Sequence, residues 1–368
     1  MKPAVRPAGQ ARAQPLRSTK LWLGSLLLLL GGYLGGWPAP VEPVAWQPPA
    51  APPLEGAYAI NDRLAAIEWR ARELPGPEAI AFDSSGFAVM GALDGRIVRA
   101  SATTGETLET IVHTGGRPLG LEYDPAGRLV VADADLGLLR VEGGTIETLA
   151  TGEGGVPFRF TDDLDIARDG TIYFTDASSR HSVHEFAHDI LEHGPSGRLL
   201  AYHPESRRVE RLIGGLCFAN GVALGPDERF VLVVETASYR VSRRWLRGPK
   251  AGTSEVFIEN LPGFPDNITY SPSRRVFWLA IGSPRDRVVD LLGPWPWLRK
   301  VISRLPKAVQ PAPQRHAFVL ALDEEGRPVE SLQHRAPSSY SPIASVIEHD
   351  GWLYFGSFVR EGHGRLKL

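Results

Sequence analysis

Six segments of this chain repeat one short pattern: a head residue followed by apolar residues at every second position. The heads are Glu78, Leu119, Asp162, Asn220, Asp266 and Ala344. Behind them stand Ile80 and Phe82, Leu121 and Tyr123, Leu164 and Ile166, Val222 and Leu224, Ile268 and Tyr270, and Val346. Period-two apolarity marks a β-strand with one face buried. The heads are separated by 41, 43, 58, 46 and 78 residues, and a unit of about 40–45 residues is what a four-stranded propeller blade needs. Six such units closed into a ring turn their heads toward a common axis. Four heads carry side-chain oxygen, so closure would gather Glu78, Asp162, Asn220 and Asp266 around one point, a donor set for a hard cation.

Second strands follow each head, as in Gly127-Arg-Leu-Val-Val-Ala-Asp133, Gly170-Thr-Ile-Tyr-Phe-Thr-Asp176 and Glu228-Arg-Phe-Val-Leu-Val-Val-Glu235. Turn chemistry separates them: Asp124-Pro-Ala-Gly127, Arg168-Asp-Gly170, Gly225-Pro-Asp227 and His349-Asp-Gly351. The expected fold is therefore all-β, a six-bladed propeller rather than a sandwich. Two gaps are too long for a blade and must hold insertions. Residues 178–196 have helical spacing around Val183, Phe186, Ala187 and Ile190. Residues 290–310 place Trp295, Trp297, Leu298, Val301, Ile302 and Leu305 on one helical face, with Arg299, Lys300, Arg304 and Lys307 opposite. The second insertion reads as a helix on a blade edge, a lid over the cavity, or a patch on a bilayer surface.

Residues 1–20 form a basic tail with Lys2, Arg6, Arg12, Arg17 and Lys20. Residues 21–37 carry no charge and run from Leu21 to Trp37, at the short end for a spanning helix. A cleaved signal peptide is the competing reading, but Pro38 and Pro40 crowd the place where a cleavage site would stand. An uncleaved signal anchor is expected, with the tail cytoplasmic and the body on the far side of the membrane. Residues 38–54 then read as a stiff Pro-rich spacer, and 55–368 as the propeller. Net charge is -2, which supplies no basic field for nucleic acid. The single cysteine, Cys217, leaves no internal disulfide.

Several stretches resemble the calcium-dependent six-bladed propellers, the group of paraoxonase, diisopropyl fluorophosphatase, gluconolactonase and strictosidine synthase. They are Gly76-Pro-Glu-Ala-Ile80, Gly116-Arg-Pro-Leu-Gly120, Tyr173-Phe-Thr-Asp-Ala-Ser178, Phe218-Ala-Asn-Gly-Val222, Pro262-Gly-Phe-Pro-Asp-Asn-Ile268 and Glu348-His-Asp-Gly-Trp-Leu-Tyr-Phe-Gly-Ser357. Within that group the pattern is similar to the strictosidine synthase-like branch that includes adipocyte plasma membrane-associated protein. The resemblance implies one active-site Ca2+ held by Glu78, Asp162, Asn220, Asp266 and Asn267. Oxygen donors suit calcium, and none of the six heads is the His or Cys that zinc prefers.

Departures from the family pattern shape the expected reaction. The family usually has Asn then Asp where this chain has Asp162-Asp163. Ala79 stands where a partner acid for a second, structural calcium would be, so one ion is expected rather than two. Leu119 replaces the histidine proposed as general base in paraoxonase. Ala344 replaces the catalytic glutamate of strictosidine synthase, which argues against that condensation. The resulting expectation is a membrane-anchored hydrolase of ester, lactone or phosphoester-like bonds, with Asp266 as nucleophile or general base. Leu119 and Ala344 would line a pocket for small hydrophobic substrates. The alternative is a non-catalytic, calcium-stabilised propeller that binds a ligand or protein. His181, His184, His188 and His193 lack a definable third partner for zinc. Asn267-Ile-Thr269 matches a glycosylation acceptor at a place where the metal site is expected.

Overall fold

The period-two segments become strands, and the turns between them close into antiparallel four-stranded sheets. A computed structural model describes residues 16–368, with side chains from Trp22 onward; the first fifteen residues of the basic tail lie outside the described residues. Five sheets each use four consecutive strands and begin on their innermost one: Ile80–Phe82, Pro118–Tyr123, Thr161–Ile166, Ala219–Leu224 and Gly263–Ser271. These are blades 1 to 5. Blade 6 takes three strands from the C-terminus, Ser345–His349, Trp352–Gly356 and Glu361–Lys367, and its outer strand from Glu68–Pro75 near the other end of the chain. Pairing of Glu68 with Arg365 and Trp69 with Gly364 thus closes the ring non-covalently. The expected six-bladed propeller is the fold.

Alternation places a separate apolar core between every pair of neighbouring blades. Val131 of blade 2 packs with Val89 and Ile97 of blade 1, while its neighbours Val130 and Ala132 pack with Leu164 and Phe174 of blade 3. Phe277 and Leu279 face blade 4 in the same way, and Trp278 and Ala280 face blade 6. Middle strands are therefore apolar at every position because both sheet faces are covered. Val276–Ile281 is an example.

Both expected insertions occur, and at the same place in the blade. Each lies between the second and third strands, on the face of the ring that carries the heads. Blade 3 inserts helix α2, Phe186–Glu192; blade 5 inserts α3, Arg287–Leu292, and α4, Pro296–Ser303. The helices meet above blade 4, where the Tyr239 hydroxyl donates to Asp290 Oδ1 at 2.8 Å.

The N-terminal helix α1 spans Leu16–Gly36, covering all but the last residue of the expected anchor. Among the described residues no helix is long and apolar enough to cross a membrane; five glycines from Gly24 to Gly36 dilute the hydropathy of α1. Residues 38–54 are extended as expected, but they are no free spacer. Glu42 N donates to Glu192 Oε2 at 2.8 Å, Val44 N to Glu192 O at 2.9 Å and Trp46 N to Gly293 O at 3.2 Å. Arg285 Nη1 reaches Pro49 O at 2.7 Å, and Val41 is fully buried. The segment is a strap over the helical cap, because its prolines leave carbonyls free to accept from side chains.

Candidate functional site

Ring closure is built into the inner strands by hydrogen bonds that pass from blade to blade. Val222 N of blade 4 donates to Asp163 Oδ2 of blade 3 at 3.0 Å, and Ile166 N of blade 3 donates to Glu122 Oε2 of blade 2 at 3.1 Å. Asn267 N of blade 5 donates to Ala344 O at 2.9 Å, and the Ser345 hydroxyl of blade 6 donates to Glu78 O of blade 1. Two glycines allow this closeness. A Cβ on Gly221 would lie 2.6 Å from Asn267 Cα, and one on Gly120 2.8 Å from Asp163 Cα. The strands touch along the axis because these positions have no side chain.

Glu78, Asp162, Asn220, Asp266 and Asn267 are all buried, at 2 to 8% exposure. The Oδ1 atoms of Asp162, Asn220, Asp266 and Asn267 have no hydrogen-bond partner. A buried oxygen without a donor costs roughly 1–3 kcal/mol, more when charged. Three of the four belong to the heads of neighbouring blades 3, 4 and 5 and the fourth to the residue after Asp266, and oxygens of this type are the ligands a hard cation takes. Among the described residues no three His, Cys, Asp or Glu side chains stand together as a metal-holding group, so Glu78, Asp162 and Asp266 do not form one by themselves and the candidate set needs its two amides.

The carboxylates feel one another. Burial first, then the charges of Glu78, Asp266 and Asp163, holds the Asp162 carboxyl well above the usual range. Asp266 is raised by burial and by Glu78 and Asp163, against the stabilising Asn220 amide. Glu78 is raised by burial, which outweighs Arg117 and the Asn267 amide. A divalent ion at that point would reverse all three shifts, since it stabilises the ionised forms. In donor chemistry, carboxylate and amide oxygen throughout, Glu78, Asp162, Asn220, Asp266 and Asn267 suit a hard divalent cation.

Sequence reasoning gave Arg117 no role, yet its buried guanidinium belongs to this site. Nη2 donates to Gly76 O at 2.8 Å and stands 3.8 Å from Glu78 Oε2, while Nη1 is buried without a partner. The available signal was its place two residues before the head Leu119, inside Gly116-Arg-Pro-Leu-Gly120. Further along the inner strands lies a second group that the sequence left mostly unread. Asp163 is pushed up to about 7, chiefly by burial. Asp165 is pushed up to about 6 in the same way, and burial with both aspartates raises the adjacent Glu122 strongly.

Leu119 and Ala344 are buried at 2% and 0% exposure rather than lining an open pocket. Leu119 packs with Phe160 and Phe218 beneath Val183, Phe186 and Ile190 of the α2 insertion. On the same face a hollow of about 530 Å³ opens between Asp135–Gly137 and Thr151–Phe158. The insertion histidines take separate tasks. His181 bonds Glu192 at 3.1 Å, His184 is exposed beside Asp135 at 3.7 Å, and His193 stacks on Trp46. Asn267 is buried and Thr269 Oγ1 donates to Val346 O at 2.6 Å, so the glycosylation motif is spent on the fold. The half-buried Cys217 thiol is pushed up to about 11 by burial.

Comparison with known proteins agrees with this architecture. Residues 56–100 match the family model described as strictosidine synthase-like, N-terminal, and residues 162–249 match the one described as strictosidine synthase. Strictosidine synthase-like 10 of Arabidopsis thaliana is 40% identical over 316 residues, covering 77% of this chain and 83% of that protein. Adipocyte plasma membrane-associated protein of Danio rerio is 37% identical over 345 residues, covering 87% and 82%. Among solved structures, a gluconolactonase of Xanthomonas campestris superposes with a TM-score of 0.59 at 19% identity, covering 90% of this chain and 98% of its own. The calcium-binding protein regucalcin of Agrobacterium tumefaciens gives 0.56 at 15%, covering 82% and 93%. At those identities the structures speak for the fold alone, while the sequence relatives carry the kinship: this chain belongs to the strictosidine synthase-like family.

Proposed function

We propose that this protein is a membrane-associated, calcium-dependent hydrolase of ester, lactone or phosphoester-like bonds. The observation that carries the reading is the set of four unpartnered buried oxygens on Asp162, Asn220, Asp266 and Asn267. Calcium bound there supplies Lewis-acid polarisation of a carbonyl or phosphoryl oxygen. Glu78, Asp162, Asn220 and Asn267 act as ligands, and Arg117 offsets the charge of Glu78. Asp266 is the reacting group. As base, its Oδ1 takes a proton from water while the water oxygen bonds to the electrophilic carbon or phosphorus; that proton then goes to the departing alkoxide. As nucleophile, the same atom bonds to the carbon or phosphorus as the bond to the alkoxide breaks; the alkoxide takes a proton from water, and the hydroxide left cleaves the Asp266 acyl or phosphoryl bond and returns the carboxylate. The shared fold with a gluconolactonase and a calcium-binding regucalcin supports both bond class and ion. Condensation chemistry is not proposed, since Ala344 has no group to transfer a proton.

The membrane part of the proposal rests on α1. Its described apolar side chains are exposed, Trp22 by 75% and Leu28 by 79%, and basic residues precede it. In this reading α1 is the anchor, the N-terminus is cytoplasmic and the propeller lies on the other side. Activity is best assayed on the full chain in detergent, because the strap of residues 38–54 is bonded to the cap. Aryl esters and lactones are expected to turn over with calcium. Chelation or Asp266→Asn should lower kcat by about 10²–10⁴-fold. Turnover indifferent to both would overturn the proposal.

A second reading has its own observation: both Leu119 and Ala344 are buried and apolar, so neither position offers a group that could transfer a proton. It makes the protein a calcium-stabilised binding propeller. Calcium-dependent melting with no turnover of any ester, lactone or phosphotriester would favour it.

A further inference from the structure

Helix α4 is inside out. Its buried positions are Arg299, at 1% exposure, and Ser303, at 8%, one turn apart. Opposite them Trp297 is 61% exposed, Leu298, Val301 and Ile302 are half-buried, and Trp295, which precedes the helix, is 53% exposed. Leu291 of α3 adds 70%. A helix facing water is expected to have the opposite polarity. The inversion is locked by Arg299. Nη1 donates to Leu191 O at 2.9 Å and Glu192 O at 3.3 Å, and Nη2 to Gly293 O at 2.9 Å and to Val44 O. One guanidinium thus ties the ends of α2 and α3 to the strap. Rolling α4 to bury its tryptophans would tear that charge from all its carbonyls.

We infer that the outward face of α3–α4 rests on the surface of an anionic bilayer, as a second contact beside α1. Large aromatic side chains with an apolar body and a polar edge belong at the interface of a membrane. The charge pattern selects lipid headgroups. From Leu291 to Leu322 the chain has no acidic residue, while Lys300, Arg304 and Lys307 flank the tryptophans. Position supplies the rest: the Tyr33 hydroxyl of α1 donates to Arg304 O at 3.2 Å, and Arg304 Nη1 donates to Leu34 O. The exposed apolar helix therefore leaves the body at the end of α4. Because the cap stands on the same face as the heads, this contact turns that face to the bilayer. Its substrates would then be ones that partition into lipid.

The inference rests on the anchoring reading, and one experiment separates them. The full chain, in a Cys217→Ala background, is labelled with a nitroxide at Trp297→Cys. A second sample carries the label at Val329→Cys, on the outer strand of blade 5 and 55% exposed. Both are reconstituted into phosphatidylcholine vesicles containing one-quarter phosphatidylglycerol. If the chain fails to float with the vesicles, anchoring is wrong and this face falls with it. With flotation, the 297 label should collide several-fold more with oxygen than with a water-soluble nickel complex, and the 329 label should do the reverse. Nickel access at 297 equal to that at 329, in vesicles that carry the protein, would overturn the inference while leaving the anchor intact. Spin–spin broadening at 297 would also overturn it, by showing a second copy on the face. Omitting phosphatidylglycerol should raise nickel access at 297; no change would remove the anionic requirement.

Discussion

The two insertions occupy the same turn in blades 3 and 5, yet they are built with opposite polarity. Helix α2 buries the carboxylates of Asp189 and Glu192 beside Leu191, and lays Phe186 and Ile190 on Leu119, Phe160 and Phe218. Helix α4 turns a guanidinium inward and its tryptophans outward. Equivalent topology therefore fixes where an insertion stands but not which side of it faces the protein. What decides is the surface already there. Above blade 3 that surface is an apolar floor that takes Phe186 and Ile190, while Ser196 and His181 bond the buried carboxylates of Asp189 and Glu192. Above blade 5 it is a set of free carbonyls at helix ends and on a proline-rich strap, which a cation satisfies.

The contrast can be broken most severely at Arg299. Arg299→Ala leaves carbonyls of Leu191, Gly293 and Val44 short of a donor and should cost about 3 kcal/mol. A thermal scan of the full chain would read this as a fall of roughly 6–10 °C, and proteolysis should then cut first in residues 38–54. An unchanged melting temperature would mean that the cap is held by something else. Helix α2 can be sharpened through Asp189, which is buried with Oδ1 unpartnered and whose carboxyl is raised to about 6, mainly by burial. Its folded value lies above that of an unfolded aspartate, near 3.8. The native state therefore binds the extra proton, and stability is greatest at low pH and declines as pH rises through about 6. Asp189→Asn should remove that decline, worth about 1–3 kcal/mol, seen as a smaller loss of melting temperature from acid to neutral pH. An undiminished loss would place the titration elsewhere. The smallest effect belongs to the outward side of α4. Trp297→Ser should change stability by less than about 0.5 kcal/mol, although the same change in a core tryptophan such as Trp278 would be severe. A large drop would show that the outward face is packed against the protein after all.

Legibility followed the range of the interactions. The heads, the alternation behind them and the turns are local patterns, so the blades and the candidate ligands Glu78, Asp162, Asn220, Asp266 and Asn267 could be read directly. Closure of blade 6 by Glu68–Pro75 could not, because its pairing with Glu361–Lys367 joins opposite ends of the chain. Arg117 went unread for a similar reason: its partner Glu78 is in another blade. Residues 38–54 looked like a spacer since proline stiffness is a property of the segment, whereas the carbonyl acceptors on Val44 and Pro49 matter only once Arg299 and Arg285 are beside them. Leu119 looked like a pocket wall because the helix above it had no assigned direction.

Taken alone, the order of residues determined a six-fold repeat of strands with oxygen-bearing heads, two helical interruptions and an apolar N-terminal helix. Periodicity suffices for this, since it states which side chains share a face. Tertiary structure decided which of those faces look inward, how the ring is shut and where the strap lies. Those outcomes depend on the dielectric and the hydrogen-bond partners that distant segments provide, and a buried arginine is stable only where such segments bring it carbonyls.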